Sequence, residues 1–233
     1  MKITGSVALV TGAGRGIGRH FARQLLERGA AKVYAAVRDP RTADVPGAEV
    51  LRVDVTDPGT IAAAARAAGD VTFLVNNAGV STGHDLVGGD PERVRLEMET
   101  NFFGPLAMIR AFAPVLAANG GGAVLNVLSA LSWVSYPGSG AYAASKAAAW
   151  SLTNGARLEL AGQGTQVTGL LMASTDTDMM AGYDVPKNDP ADVVRAALDG
   201  VEAGRAEVVA DDGTARIKAA LSADPAVLYP GVL

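Results

Sequence analysis

A short apolar run, Val7-Ala8-Leu9-Val10, leads straight into Thr11-Gly12-Ala13-Gly14-Arg15-Gly16-Ile17-Gly18 and then into a stretch of helical periodicity. Glycines at alternate positions between a strand and a helix allow few architectures. Without a Cβ the backbone can turn sharply and approach a phosphate, and the free N–H groups of the helix's first turn favour negative charge there. This strand, loop and helix context is what a dinucleotide-binding turn requires.

The alternation continues along the chain. Strands are expected at Val7–Thr11, Lys32–Val37, Glu49–Val53, Thr72–Val75, Ala123–Leu128, Gln166–Leu171 and Glu207–Ala210, with helices near 16–29, 58–68, 91–119, 141–162 and 190–203. Several strands are continuous apolar runs, as strands buried on both faces should be. The pattern predicts an α/β, Rossmann-type doubly wound fold: one domain over 1–233, with a seven-stranded parallel sheet and helices on both faces. Residues 1–120 form the cofactor half and 121–233 the catalytic and substrate half. The 173–189 segment, with Gly182, Pro186 and Pro190 in or beside it, interrupts the alternation and is the expected substrate lid, short and open. The tail, 222–233, is expected along the surface or against a partner subunit.

The second strand ends Ala36-Val37-Arg38-Asp39. An acidic residue there takes a ribose 2′-OH, whereas an arginine accommodates a 2′-phosphate. Arg38 and Arg15, whose forked guanidinium donors suit phosphate, favour NADP(H). Asp39 keeps NAD(H) open as the alternative, as a ribose ligand two residues along.

Tyr142-Ala143-Ala144-Ser145-Lys146 opens a helical stretch, and its i, i+4 spacing places phenol and ammonium on one face. Ser129 follows the strand ending at Leu128, at the carboxyl edge of the sheet where open α/β folds bind ligands. A neighbouring ammonium lowers a phenol's pKa toward neutrality, so Tyr142 is the expected general acid/base. Ser129 would hydrogen-bond the reacting oxygen, and Lys146 would tune the tyrosine and bind the nicotinamide ribose.

Together these residues resemble the short-chain dehydrogenase/reductase family in its compact one-domain branch, with the likeness running from about Val7 to Thr177. Beside the TGxxxGxG loop and the YxxxK helix stands Asn76-Asn77-Ala78-Gly79, similar to the family's NNAG segment, which stabilises the sheet and lines the adenine-ribose side. The resemblance further implies a cofactor site drawing on Gly12, Arg15, Gly16, Ile17, Gly18, Arg38, Asn77, Ala78, Gly79, Tyr142 and Lys146, with Asp54 and Val55 flanking the adenine. By the same likeness Asn101 holds a water joined to the lysine, and Thr177 contacts the nicotinamide carboxamide. One departure stands out: Met172-Ala173 occupies the place of the family's Pro-Gly. The likeness also implies a homodimer or homotetramer built on the helices at 91–119 and 141–162.

Composition excludes other chemistry. With no cysteine and two histidines, no metal site is expected. A net charge of −4 and scattered Lys/Arg argue against nucleic acid. Despite a mean hydropathy of +0.21, no stretch reads as able to cross a bilayer, so no membrane partner is expected. The opening MKITGSVALVTGAG lacks the layout of a signal peptide, and a cytoplasmic location is expected. The leading function is therefore an NADP(H)-dependent ketone or aldehyde reductase, reversible toward the alcohol. Its small-molecule substrate is expected to be apolar, held by Ser81–Asp85, by Trp133, Val134 and Tyr136, and by Met179, Met180 and Tyr183. A nucleotide-sugar epimerase or dehydratase would need a substrate domain larger than the 56 residues beyond Thr177 can supply. A non-catalytic NADP(H)-binding regulator is the alternative from another class.

Overall fold

A computed structural model describes residues 1–229. Seven parallel strands form one sheet: β1 (Val7–Thr11), β2 (Lys32–Val37), β3 (Glu49–Arg52), β4 (Phe73–Asn76), β5 (Gly122–Val127), β6 (Thr165–Leu171) and β7 (Glu207–Val209). Their order is β3-β2-β1-β4-β5-β6-β7, the doubly wound Rossmann-type arrangement that the alternation implies. The chain reverses direction across the sheet between β1 and β4, and the crevice at the carboxyl ends of those strands is where such sheets hold ligands.

The helices are α1 (Gly16–Glu27), α2 (Pro58–Ala67), α3 (Pro91–Met98), α4 (Gly104–Ala118), α5 (Gly140–Leu160), α6 (Pro190–Glu202) and α7 (Asp212–Ala220). Three of them begin with Asp-Pro. Asp57, Asp90 and Asp189 each accept the N–H two residues on, at 2.8, 2.9 and 2.7 Å. The proline that follows occupies the first helical position, where its missing N–H costs nothing. The core lies on both faces of the sheet. Phe21, Leu25, Val194 and Leu198 cover one side, and Met108, Phe112, Leu116 and Ile61 the other.

The structure corrects several expectations. The helix expected at 91–119 is interrupted by a π-helical segment, Glu99–Phe103, between α3 and α4. By length and composition Pro91–Ala118 is apolar enough to cross a membrane, contrary to the sequence reading. In the fold α4 turns Met108, Phe112 and Leu116, each fully buried, onto the sheet. α7 was not expected at all; Asp211 caps it, accepting from the Thr214 N–H at 2.8 Å. Residues 230–233 of the expected tail lie outside the described residues. Before them, the Tyr229 hydroxyl accepts the Ser135 N–H at 3.1 Å, tying the tail to the loop after β5.

Candidate active site

The glycine loop closes over the ends of β1 and β4. Asn77 donates its side-chain amide to the Thr11 carbonyl at 2.9 Å, and the Thr11 hydroxyl accepts the N–H groups of Asn77 and Ala78 at 3.0 Å each. This lacing brings the Asn77-Ala78-Gly79 run against the loop so closely that side chains have no room. A Cβ on Gly12 would fall 3.0 Å from the Ala78 Cα, and one on Gly18 would fall 2.2 Å from the Gly12 carbonyl oxygen. Gly16 has φ +51°, and the Thr177 methyl lies 3.3 Å from where its Cβ would be. Ile17 packs against the core beneath the loop. Thr177, Gly16 and the NNAG run thus share one cradle that bare backbone lines, the shape and donor chemistry a pyrophosphate needs.

Arg15 and Arg38 are both exposed at this edge. Arg15 forms an ion pair with Asp178 at 3.1 Å; burial works to raise the Asp54 carboxyl, but the two bonds from Thr56, with the Arg38 and Arg52 charges adding to them, hold it below its ordinary value. Asp39, the alternative ribose ligand, has both carboxylate oxygens on the Arg41 guanidinium at 2.7 to 3.2 Å and caps the turn at Pro40–Thr42. Asp54 accepts the Thr56 N–H and hydroxyl at 3.0 and 2.7 Å, and Val55 packs against Gly104.

Ser129, Tyr142 and Lys146 converge at the carboxyl ends of β5 and β6. A buried polar chain seats α5 on the sheet: Asn76 donates to Asn126 at 2.9 Å, Asn126 to the Thr153 hydroxyl at 2.9 Å, and Thr153 to the Ala149 carbonyl at 2.7 Å. Lys146 is buried and donates to the Val127 carbonyl at 2.8 Å. Its Nζ lies 5.5 Å from the centre of the Tyr142 ring. Ser129 caps the turn at Ala130–Ser132 by accepting the Leu131 N–H at 3.1 Å, and its hydroxyl lies near enough to the Tyr142 phenol to favour the phenolate.

The electrostatics differ from the sequence expectation. Burial pushes the Tyr142 phenol well above its ordinary value, the nearby Ser129 hydroxyl opposes this, and Glu97 adds to the rise. Burial pulls the Lys146 ammonium down to about 8. Desolvation, which disfavours both charged forms, outweighs the mutual attraction that spacing alone would suggest. Tyr142 is accordingly held as a proton-bearing phenol.

Asn101 sits on the π-helical segment, whose extra residue per turn aims it at the site. Its carboxamide accepts the Val80 N–H at 2.9 Å and donates to the Val80 carbonyl at 2.8 Å and to the Ser145 hydroxyl at 2.9 Å. Ser145 in turn donates to the Tyr142 carbonyl at 2.7 Å. The Asn101 side chain is thus a clamp between the strand-β4 loop and α5.

The 173–189 segment expected as a lid is pinned at its neck, where the Asp176 N–H donates to the Asn188 carbonyl at 3.0 Å and the Asn188 N–H to the Ser174 carbonyl at 2.8 Å. Beneath it, Met172 is buried in the core and the Ala173 N–H donates to Asp211 at 2.8 Å. Asp211 also accepts from Asn188 and Thr214. This carboxylate organises the backbone where the family's Pro-Gly is missing. Of the expected pocket walls, Val134 is buried and Trp133 packs edge-on to Trp150 over Leu128 and Leu171, so both serve the core. Leu86, Val87, Tyr136, Met179, Tyr183 and Val185 are exposed.

Sequence reasoning missed Asp211, Ser145 and Glu97. Only Asp211, an Asp placed two residues before a glycine and just after a strand, carried a local signal, that of a helix cap.

Fold and site together define a nicotinamide-dinucleotide type of oxidoreductase. Residues 6–187 match the short chain dehydrogenase family, and the chain belongs to it. It is 34% identical, over 85% of its length and 78% of the relative's, to a 1-deoxy-11-beta-hydroxypentalenate dehydrogenase of Streptomyces exfoliatus. It is likewise 34% identical, over 76% of its length and 74% of the relative's, to a galactitol 2-dehydrogenase (L-tagatose-forming) of Cereibacter sphaeroides. Among solved structures, a short chain dehydrogenase from Burkholderia cenocepacia J2315 in complex with NADP superposes with a TM-score of 0.94 at 43% identity, covering 98% of each chain.

Proposed function

We propose that the chain is an NADP(H)-dependent carbonyl reductase, reversible toward oxidation of the secondary alcohol. The observation that carries the reading is the convergence of Tyr142 and the buried Lys146, whose Nζ lies 5.5 Å from the phenol ring centre, at the end of β5 where Ser129 follows the strand. The glycine cradle, Asn77, Ala78, Gly79 and Thr177 would hold the dinucleotide, with Arg15 and Arg38 at the 2′-phosphate and Asp54 and Val55 beside the adenine. The NADP complex of the Burkholderia relative supports that choice over NAD. Bound NADPH supplies the hydride that reaches the carbonyl carbon.

Tyr142 Oη donates its proton to the substrate oxygen, and the Ser129 hydroxyl hydrogen-bonds that oxygen and orients it. Lys146, charged below about pH 8, stabilises the phenolate left behind until a solvent proton restores it. Asn101 is the positioning residue that keeps the Val80 segment and α5 in register. The exposed apolar residues about the mouth, Leu86, Val87, Tyr136, Met179, Tyr183 and Val185, suit an apolar ketone. Phe103, on the π-helical segment before α4, and Leu158, on α5, are exposed and suit a homodimeric or homotetrameric contact.

The test is initial rates of NADPH and NADH oxidation over aryl and alkyl ketones, with Tyr142→Phe in parallel. Turnover with NADPH that falls by about 10²- to 10⁴-fold in the variant is expected, the usual contribution of a general acid. Cofactor binding without turnover in either protein would overturn the reading in favour of a regulator.

A further inference from the structure

The 173–189 segment is fixed at its base and reaches back to the glycine loop at its near end. At the base, the Ala173 N–H and the Asn188 side-chain amide both donate to Asp211, at 2.8 and 3.2 Å, and Thr175 and Asn188 form a β-bridge. Just beyond, the Thr177 methyl lies 3.3 Å from where a Cβ on Gly16 would be, and a short turn, Asp178–Met180, begins at the next residue. The Asp178 carboxylate, set down at that place, accepts from Arg15 Nη1 at 3.1 Å. The pair ties the segment to the loop that lines the cradle, across 163 positions of chain.

This ion pair does little for stability. The Arg15 and Asp178 side chains are 75% and 72% exposed, and pairs of that kind contribute little to folding. Exposure means something else for a ligand: the guanidinium is open to an arriving anion, which then meets a carboxylate already there. Guanidinium recognises phosphate through its paired donors, and Asp178 holds one arm of that fork. The carboxylate cannot drift far, because the base of the segment and the Thr177 contact keep its backbone beside the loop. A tethered competitor acts at a high effective concentration. Asp39, the other acidic residue named at this edge, engages a different guanidinium, that of Arg41, at 2.7 Å.

We propose that Asp178 is a specificity-determining residue for the cofactor: it competes with the 2′-phosphate of NADP(H) for the Arg15 guanidinium and so narrows the preference over NAD(H), whose adenosine ribose carries no charge there. The proposal rests on the NADP(H) reading, which places the 2′-phosphate at Arg15, and its test reads binding alone, apart from turnover.

Cofactor fluorescence gives Kd for NADPH and NADH in the parent, Asp178→Asn, Arg15→Ala and the double variant, at low and high salt. Asp178→Asn keeps the size of an exposed side chain and removes its charge, and thermal unfolding confirms that the fold is kept. NADPH binding is expected to tighten by about 2- to 5-fold, the worth of an exposed ion pair, with NADH unchanged. In the Arg15→Ala background the same substitution should lose most of its effect, and the gain should shrink as salt screens the competing charges. NADPH affinity that is unchanged or weaker in Asp178→Asn, an equal gain for NADH, or a gain that survives in full without Arg15 would each overturn the proposal. If Arg15→Ala by itself leaves NADPH binding as it was, the 2′-phosphate does not lie at Arg15 and the proposal falls with that placement. Absence of ketone turnover in the parent would sink the reductase reading, while the binding constants would still decide the part played by Asp178.

Discussion

Gly18→Ala adds one methyl group where the structure has no space for it. The new Cβ would lie 2.2 Å from the Gly12 carbonyl oxygen, 2.8 Å from its carbon and 2.5 Å from Asn77 Nδ2. Two of those atoms are backbone and cannot rotate away. The third belongs to the amide that laces β1 to β4 through Thr11. Relief therefore requires α1 to slide away from the loop by about 1 Å, and overpacking of this kind costs roughly 1 to 3 kcal/mol. For a chain of this length that corresponds to a drop in Tm of about 2 to 12 °C. The same slide moves the α1 amides away from the cradle proposed for the pyrophosphate, so NADPH affinity should fall along with stability. Thermal unfolding with and without NADPH, with cofactor fluorescence for Kd, measures both. Gly155→Ala is the control, since a Cβ there meets nothing within 4 Å on α5 and alanine should gain up to about 1 kcal/mol over glycine in a helix. If Gly18→Ala keeps the parent Tm and Kd, the steric argument for the cradle is wrong.

Arg38→Ala should weaken NADPH binding by roughly 10- to 100-fold, the worth of a lost charge-assisted hydrogen bond, and leave NADH binding unchanged; equal losses for both cofactors would refute the 2′-phosphate assignment. Stability should also depend on pH through Lys146. Its folded value, about 8, lies below the ordinary 10.5, so the cost of burying its charge is complete below pH 8 and fades as pH rises from 8 toward 10.5. Relative to Lys146→Met, the parent protein should gain Tm across that window, and a constant difference between the two would refute the burial argument.

The strand readings fall within one residue of the observed boundaries because buried parallel strands announce themselves as apolar runs. The Asp-Pro helix starts are equally local signals. The π-helical segment at Glu99–Phe103 is not, since Asn101 reaches Val80 and Ser145 only through contacts made across the fold. α7 escaped notice because Gly213 interrupts its first turn, while Asp211 owes its place to Ala173 and Asn188, remote in sequence.

What the sequence determined by itself was the strand–loop–helix turn, the Tyr142-to-Lys146 spacing and the parallel order they imply. Each depends on neighbours a few residues apart. Only the tertiary structure decided that Ser129 both caps a turn and meets Tyr142, that Trp133 packs inward, and that Glu97 is buried with one oxygen unpaired. It also reversed the expected pKa direction of Tyr142. Spacing tells which groups are close, whereas desolvation depends on how much of the rest of the chain surrounds them, and that is known only once distant segments have packed.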